Sequence, residues 1–131
     1  DGVEAAWLVV QHAIGEPVFQ RTCLGRLEGA VARGEAPAWQ AAMLEDRIRV
    51  AEGRPQRFGT QLEHDEHGVP GPCPIEDPDG VEARREAVGL EPLARRLARE
   101  PRLDPPPSQE ERARVLRERD AWLVRVGWRE P

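Results

Sequence analysis

Apolar residues recur three or four positions apart along the N-terminal half of the chain. The pattern covers residues 3–13, 16–34 and 37–52, and it predicts three amphipathic helices. A glycine ends or follows each stretch, and a proline stands near the start of the second and of the third. Both features are typical of helix ends and first helical turns. Because the connections are short, the three helices are predicted to be antiparallel neighbours.

Helical spacing disappears between residues 56 and 79. Residues 58–62 could form a short strand, and the sequence Asp65-Glu66-His67-Gly68 is typical of a turn. Residues 69–75 hold three alternating prolines, which permit an extended or edge segment but not a central strand. We therefore predict a short β-hairpin or an extended proline-rich insert around residues 56–79.

The C-terminal half returns to helical patterns. Two short helices are predicted over residues 77–88 and 91–100, and the prolines of residues 101–107 predict a stiff linker. Ser108 and Glu111 have capping-box spacing, from which a last helix runs to about residue 128. The predicted fold class is therefore mainly α, a small helical domain with the hairpin or extended insert. Its predicted core is apolar and draws on both ends of the chain: Trp7, Val10, Phe19, Leu27, Met43, Ile48 and Val50, with Trp122 packing back onto them.

Composition and charge narrow the function classes. The longest uninterrupted apolar run covers only residues 5–10, far too short to span a membrane. A net charge of −5 argues against a nucleic-acid partner, since such affinity comes largely from phosphate neutralisation. Cys23 and Cys73 are too few for a disulfide scaffold, so reduced thiols and a cytoplasmic location are expected. Residues 60–82 carry seven acidic residues and no arginine, which marks one acidic segment.

Several short pieces in a fixed order carry a resemblance to a known family. They are Trp7-Leu8-Val9-Val10-Gln11-His12, Phe19-Gln20, Leu44-Glu45-Asp46-Arg47, Gly53-Arg54-Pro55-Gln56-Arg57-Phe58-Gly59-Thr60-Gln61 and Pro74-Ile75-Glu76-Asp77-Pro78. Over about residues 3–100 the chain resembles DUF6624, a bacterial domain family of unknown function. The resemblance implies a shared site but no particular reaction. Phe58 stands where the family usually has tyrosine before Gly-Thr-Gln, so any role of that phenol is lost here.

The resemblance also suggests how the chain is organised. Residues 1–100 would form the family-like helical domain with its hairpin insert. Residues 101–131 would extend it with the proline linker and a C-terminal helix, which we predict to pack on the same domain.

His12 is the first candidate catalytic residue. It lies at the end of the first predicted helix, where the helix dipole favours a protonated imidazole. Asp46, in the third predicted helix, could hold it as a general acid or base and is the second candidate. Structural roles remain open for both: His12 can bond the last carbonyls of its helix, and Asp46 can form a buried ion pair with an arginine.

Five polar residues are candidates for substrate binding, and they are Gln11, Arg47, Gln56, Thr60 and Gln61. Arg47 could hold an anionic group of a substrate. The last three bracket Gly59 after the end of the third predicted helix, where amide and hydroxyl groups can supply neutral hydrogen bonds to a ligand. The same groups could equally cap that helix and fix the hairpin.

His64, His67 and Cys73 offer two imidazoles and a thiol as possible zinc ligands. Their spacing matches no standard zinc signature, and they stand in a proline-rich segment. A solvated acidic loop is therefore predicted, and neither a metal nor another cofactor is expected. The sequence also has no phosphate-binding glycine loop and no dinucleotide fingerprint.

Two functions follow as hypotheses. The first is a small bacterial enzyme, of specialised metabolism, whose cofactor-independent acid/base pocket acts on a small polar or anionic molecule. The second is a non-catalytic binding or interaction module, in which the acidic segment of residues 60–82 meets a basic partner.

Overall fold

The computed structural model describes Trp7, Val10 and residues 13–131 of the chain. Trp7 and Val10 are helical, in agreement with the predicted first helix, and the rest of that helix up to residue 12 lies outside the described residues. The next two helices are α1, Pro17–Ala32, and α2, Ala38–Ala51, which pack against each other. Both begin at or just after a proline, as predicted, because proline needs no hydrogen-bond acceptor in the first turn.

A small antiparallel hairpin follows α2. Its strands are β1, Leu62–His64, and β2, Pro70–Pro72, and Glu63 pairs with Gly71 at the centre of the register. The strand predicted over residues 58–62 is wrong, since β1 begins only at Leu62. Residues 57–60 form an irregular loop instead, in which Gly59 takes the left-handed conformation with φ of 67°.

Three more helices complete the fold. A 3₁₀ turn, Pro78–Gly80, leads into α3, Val81–Ala87, and α4 covers Leu93–Ala98. The last helix is α5, Gln109–Arg125, and Ser108 caps it by accepting a hydrogen bond from the Glu111 amide at 3.1 Å. The architecture is mainly α with one small hairpin, as the sequence predicts. In the described part of the chain, no helix is both long and apolar enough to cross a membrane.

The apolar core joins α2 to the C-terminal end of the chain. Its buried members are Leu44, Ile48, Ala51, Leu123 and Trp128, and Trp7, Val10, Leu27 and Trp122 pack against them. The indole N–H of Trp128 donates to the Ile14 carbonyl at 2.6 Å, and Arg129 donates to the Val50 and Ala51 carbonyls at the end of α2. The segment beyond residue 101 therefore contributes directly to the core.

Phe19 is not a core residue, contrary to the prediction. It is 43% exposed, whereas the next residue, Gln20, is completely buried. On α1, Gln20 rather than Phe19 therefore faces inward, while Leu27 packs against the core as predicted. Gln20 is tolerated there because its side-chain amide donates to the Val10 carbonyl. Met43 and Val50 are only half-buried and stand outside the buried cluster.

Candidate functional site

Asp46 organises the loop of residues 57–60. The carboxylate is completely buried in the middle of α2. It accepts hydrogen bonds from the amides of Arg57, Phe58 and Thr60, at 2.8 to 3.2 Å. The Thr60 hydroxyl donates to it as well, at 2.8 Å. Backbone amides and a hydroxyl thus bind the charge directly, and the loop is wrapped around the carboxylate. Arg85 interacts with the same carboxylate through space.

Gln56 fixes the base of the same loop. Its side chain is completely buried, and its amide nitrogen donates to the carbonyls of Gln61 and Cys73 at 2.9 and 2.8 Å. Its amide oxygen accepts from the Gln61 backbone at 2.9 Å. The Gln56 side chain therefore joins the end of the loop, just before β1, to the residue that follows β2. Among the described residues, all hydrogen bonds of this side-chain amide are to backbone atoms.

Two consecutive arginines of α3 bind the carbonyls of the loop. Arg84 donates to the Arg57 carbonyl at 2.7 Å. Arg85 donates through Nη1 to the Phe58 and Gly59 carbonyls, at 2.8 and 3.4 Å, and through Nε to the Glu91 carbonyl at 2.8 Å. Asp46 thus holds the amides of the loop and Arg85 holds its carbonyls. The loop is a rigid element although it has no regular secondary structure.

A cleft of about 320 Å³ opens beside this loop. Trp39 and Met43 of α2 line it, together with Arg96 of α4 and Arg99, the residue directly after α4. Thr60 and Arg85 also line it. A cleft of this size can hold a small organic molecule, and it combines apolar side chains with a few polar groups, as ligand sites commonly do.

Thr60 connects the buried network to this cleft, and Gln61 is bonded to Thr60. The Gln61 side-chain amide donates to the Thr60 hydroxyl oxygen at 3.1 Å, and that hydroxyl donates to Asp46. Both side chains are half-buried. The Thr60 hydroxyl therefore has a fixed orientation, and its oxygen lies at the point where the network meets the cleft.

Arg47 lies next to Asp46 on α2 and is half-buried. Burial lowers the pKa of its guanidinium from the usual value, because a charged group loses hydration there. Arg47 follows Met43 by four positions, so the two residues share one face of the helix. An anionic group on that face would gain from this charge.

His12 and Gln11 lie outside the described residues. The contacts of the described neighbours nevertheless show how the N-terminal segment is held. The ring of Trp7 meets that of Trp39 edge to face, with centroids 5.9 Å apart, and the Val10 carbonyl accepts from Gln20. Since Trp39 also lines the cleft, Trp7 is packed against a residue of the candidate site.

The three possible zinc ligands are not brought together as a metal centre. His64 pairs through Nε2 with the Pro101 carbonyl at 2.9 Å, and His67 is exposed beside Glu66. Among the described residues, no group of three or more His, Cys, Asp or Glu side chains is placed to hold a metal ion. Desolvation and the nearby Glu63 raise the pKa of the buried Cys73 thiol to about 11. Cys73 is thus a neutral thiol at physiological pH.

Sequence reasoning missed Arg85 and the burial of Gln20. The spacing in the sequence could have indicated that Arg85 is buried. It follows the apolar Val81 by four positions, which puts both residues on the buried face of α3. A charge at a core position requires partners, and the carbonyls of an irregular loop can supply them. Gln20 is next to Phe19 in the chain, and the hydrophobic pattern alone favours Phe19 as the buried residue of the two.

Comparison with known proteins agrees with the resemblance of the motifs. Residues 1–100 match a family described as a family of unknown function, DUF6624. Neither a curated protein nor a solved structure matches the chain. The matched region contains Asp46, the loop, Arg85 and the cleft, whereas α5 and Trp128 lie beyond it. The chain belongs to the DUF6624 family.

Proposed function

We propose that the protein is a small cytoplasmic bacterial enzyme with a cofactor-independent acid/base site for a small polar or anionic molecule. The observation that supports this most is the link from the cleft to Asp46 through the Thr60 hydroxyl. A buried carboxylate that holds a hydroxyl and three amides fixes a polar surface before any ligand arrives. Such preorganisation is what an active site requires, because no ordering cost remains when the ligand binds.

The two candidate catalytic residues have different roles in this proposal. Asp46 already accepts four donors and is completely buried, so it acts as a positioning residue for Thr60. His12 is then the residue proposed to exchange a proton with the substrate. Gln56 likewise positions the loop. Thr60 and Gln61, with Gln11 and Arg47, are proposed to contact the substrate.

The experiment compares His12→Ala with His67→Ala, a matched control in an exposed side chain. Each protein is incubated with a bacterial metabolite extract, and mass spectrometry follows which small molecules are consumed. We expect the wild type and His67→Ala to consume the same compound and His12→Ala to leave it intact, with a melting temperature within a few degrees of the wild type. Consumption by His12→Ala at the wild-type rate would contradict the proposal.

The acidic segment supports a second candidate, a module that binds a basic partner. Asp65 and Glu66 are exposed at the turn of the hairpin. Part of this charge already faces the chain itself, since Glu66 and Arg112 of α5 line one cleft. This function predicts that a lysate protein is captured in a salt-sensitive way, and that Asp65→Asn with Glu66→Gln weakens capture while His12→Ala does not.

A further inference from the structure

Arg85 is a buried cation whose hydrogen bonds go to backbone carbonyls. Only 2% of its surface is exposed, and Nε and Nη1 donate to the carbonyls of Glu91, Phe58 and Gly59. The carboxylates of Asp46, Glu82 and Glu91 stabilise its charge through space, but among the described residues none forms a salt bridge with it. A ligand carboxylate in direct contact would add to these longer-range interactions.

The guanidinium also has unused hydrogen-bonding capacity. Nε and Nη1 donate to the carbonyls of Glu91, Phe58 and Gly59, whereas none of the described residues accepts from Nη2. Since Arg85 lines the cleft beside Thr60, Nη2 is the group that it can offer there. A buried and fixed guanidinium loses little side-chain entropy when it binds an oxyanion.

The charge of the cleft suits a monoanion. Arg96 is paired with Glu100 at 2.8 Å, and Arg99 is paired with Glu91. The lining nevertheless carries three arginines against one carboxylate, Glu91, so the cleft is positive on balance. A carboxylate carries one charge, and one of its oxygens can accept a charge-assisted hydrogen bond from Nη2 of Arg85.

The remaining wall of the cleft is apolar. Trp39, Met43 and Leu90 line it. The Trp39 ring is held in place by Trp7, which meets it edge to face. A flat or aliphatic body could stack on this wall while its acid group reaches Arg85. The volume of about 320 Å³ limits such a body to a small one.

We propose that the cleft binds a small amphipathic monocarboxylate, with its carboxylate on Arg85 and its apolar body against Trp39 and Met43. This inference rests on the proposed function only for the location of the substrate site. It adds the chemical class of the substrate. Arg96 and Arg99 stand at the mouth and attract the anion without being its main partners.

The test uses four simple probes at pH 7: phenylacetate, phenylacetamide, acetate and inorganic phosphate. Amide chemical-shift changes on titration give each Kd and show where the probe lies. Phenylacetate is expected to shift the Thr60, Arg85 and Trp39 signals and to bind at least about tenfold more tightly than phenylacetamide, which lacks the charge, or acetate, which lacks the apolar body. Equal affinity for phenylacetate and phenylacetamide, preference for phosphate, or absence of binding would overturn the proposal.

Variants locate the binding without depending on one fragile residue. Arg85→Gln should abolish phenylacetate binding, but it also removes bonds to the loop. Arg99→Gln, at the exposed mouth, should weaken binding about two- to fivefold, since a rim charge adds modest attraction. Arg95→Gln is the matched control, because Arg95 is an exposed arginine of α4 outside the cleft, and it should bind as the wild type does. Equal loss in Arg95→Gln and Arg99→Gln would contradict the assigned place.

The outcomes separate this inference from the proposed function. If phenylacetate binds as described but His12→Ala consumes substrate like the wild type, the carboxylate site stands and the proposed catalysis fails. If His12→Ala is inactive but phenylacetate fails to bind in the cleft, the proposed catalysis stands and the carboxylate site fails.

Discussion

The two sides of α2 are held by different forces. On one side, Leu44, Ile48 and Ala51 pack against Leu123 and Trp128, where the fit depends on apolar volume. On the other side, Asp46 binds amides of the loop after the helix, where the fit depends on direction and charge. The apolar side joins the ends of the chain, and the polar side shapes the cleft. We therefore expect the apolar side to tolerate substitutions that keep the volume of the side chain. The polar side should tolerate only those that keep its hydrogen-bond acceptors.

The largest effect is expected at the polar side. Asp46→Ala leaves three buried amides and a hydroxyl without their acceptor, and it should lower the free energy of unfolding by about 3–5 kcal/mol. Asp46→Asn keeps the volume but turns one oxygen into a donor facing backbone N–H groups, and about 2–4 kcal/mol should be lost. Urea denaturation measures both.

The control for Asp46 is Asp79→Asn, which changes an exposed carboxylate of the 3₁₀ turn. It should alter stability by no more than about 0.5 kcal/mol. A loss below about 1 kcal/mol in Asp46→Ala would mean that water can replace the loop around the carboxylate, and the contrast between the two sides of α2 would fail.

The apolar side should respond to volume alone. Leu44 is almost completely buried, so Leu44→Ala should cost about 2–4 kcal/mol through lost burial and the cavity that remains. Leu44→Met keeps the volume and should cost less than about 1.5 kcal/mol. Urea denaturation of these two variants sharpens the comparison. The volume-preserving change Leu44→Met should lower the free energy of unfolding only slightly, whereas the volume-preserving change Asp46→Asn should lower it strongly. A Leu44→Met cost equal to that of Asp46→Asn would break the comparison.

A smaller effect is expected where the apolar side contains one polar contact. Trp128→Phe keeps a ring in the core but removes the indole N–H that donates to Ile14. A loss of about 1–2 kcal/mol is expected for the missing bond and the reduced area. Thermal unfolding measures it. No change in Tm would show that this bond does not help to hold the segment before α1.

Cys73 provides the mildest test, through chemical reactivity. Burial raises the pKa of its thiol to about 11, above the usual 9.0. The unfolded chain then loses this proton at lower pH than the folded one, so the contribution of Cys73 to stability should fall as pH rises from about 9 towards 11. Alkylation by iodoacetamide at pH 8 should be slower at Cys73 than at the half-buried Cys23. Faster labelling of Cys73 would show that the polar side opens locally.

The sequence was sufficient to predict the helices and the hairpin, because glycine and proline mark their ends. It wrongly placed Phe19 in the core, since hydrophobic spacing favours Phe19 and contains no information on the carbonyl that Gln20 satisfies. It also predicted a strand over residues 58–62, where the helical spacing of apolar residues is lost. The bonds to Asp46 and Arg85 hold an irregular loop there instead, and both partners are distant in the chain.

The candidate site was expected to bring together His12, Asp46 and the loop of Gln56, Thr60 and Gln61. This stays a prediction, because His12 lies outside the described residues, although hydrogen bonds join Asp46 to Thr60 and Thr60 to Gln61. The roles of Asp46 and Gln56 as supports of the loop require knowledge of which backbone groups they reach, and sequence spacing does not encode this. Arg85 was missed because an arginine in a short helix is usually a surface residue.

The most direct test of the central claim is hydrogen exchange at the amides of Arg57, Phe58 and Thr60. If Asp46 holds the loop as firmly as the apolar core holds α2, these amides should exchange as slowly as that of Ile48, and Asp46→Asn should release them while Ile48 stays protected. Exchange in the wild type at the rate of an unstructured peptide would contradict the claim that the cleft is built on a preformed loop.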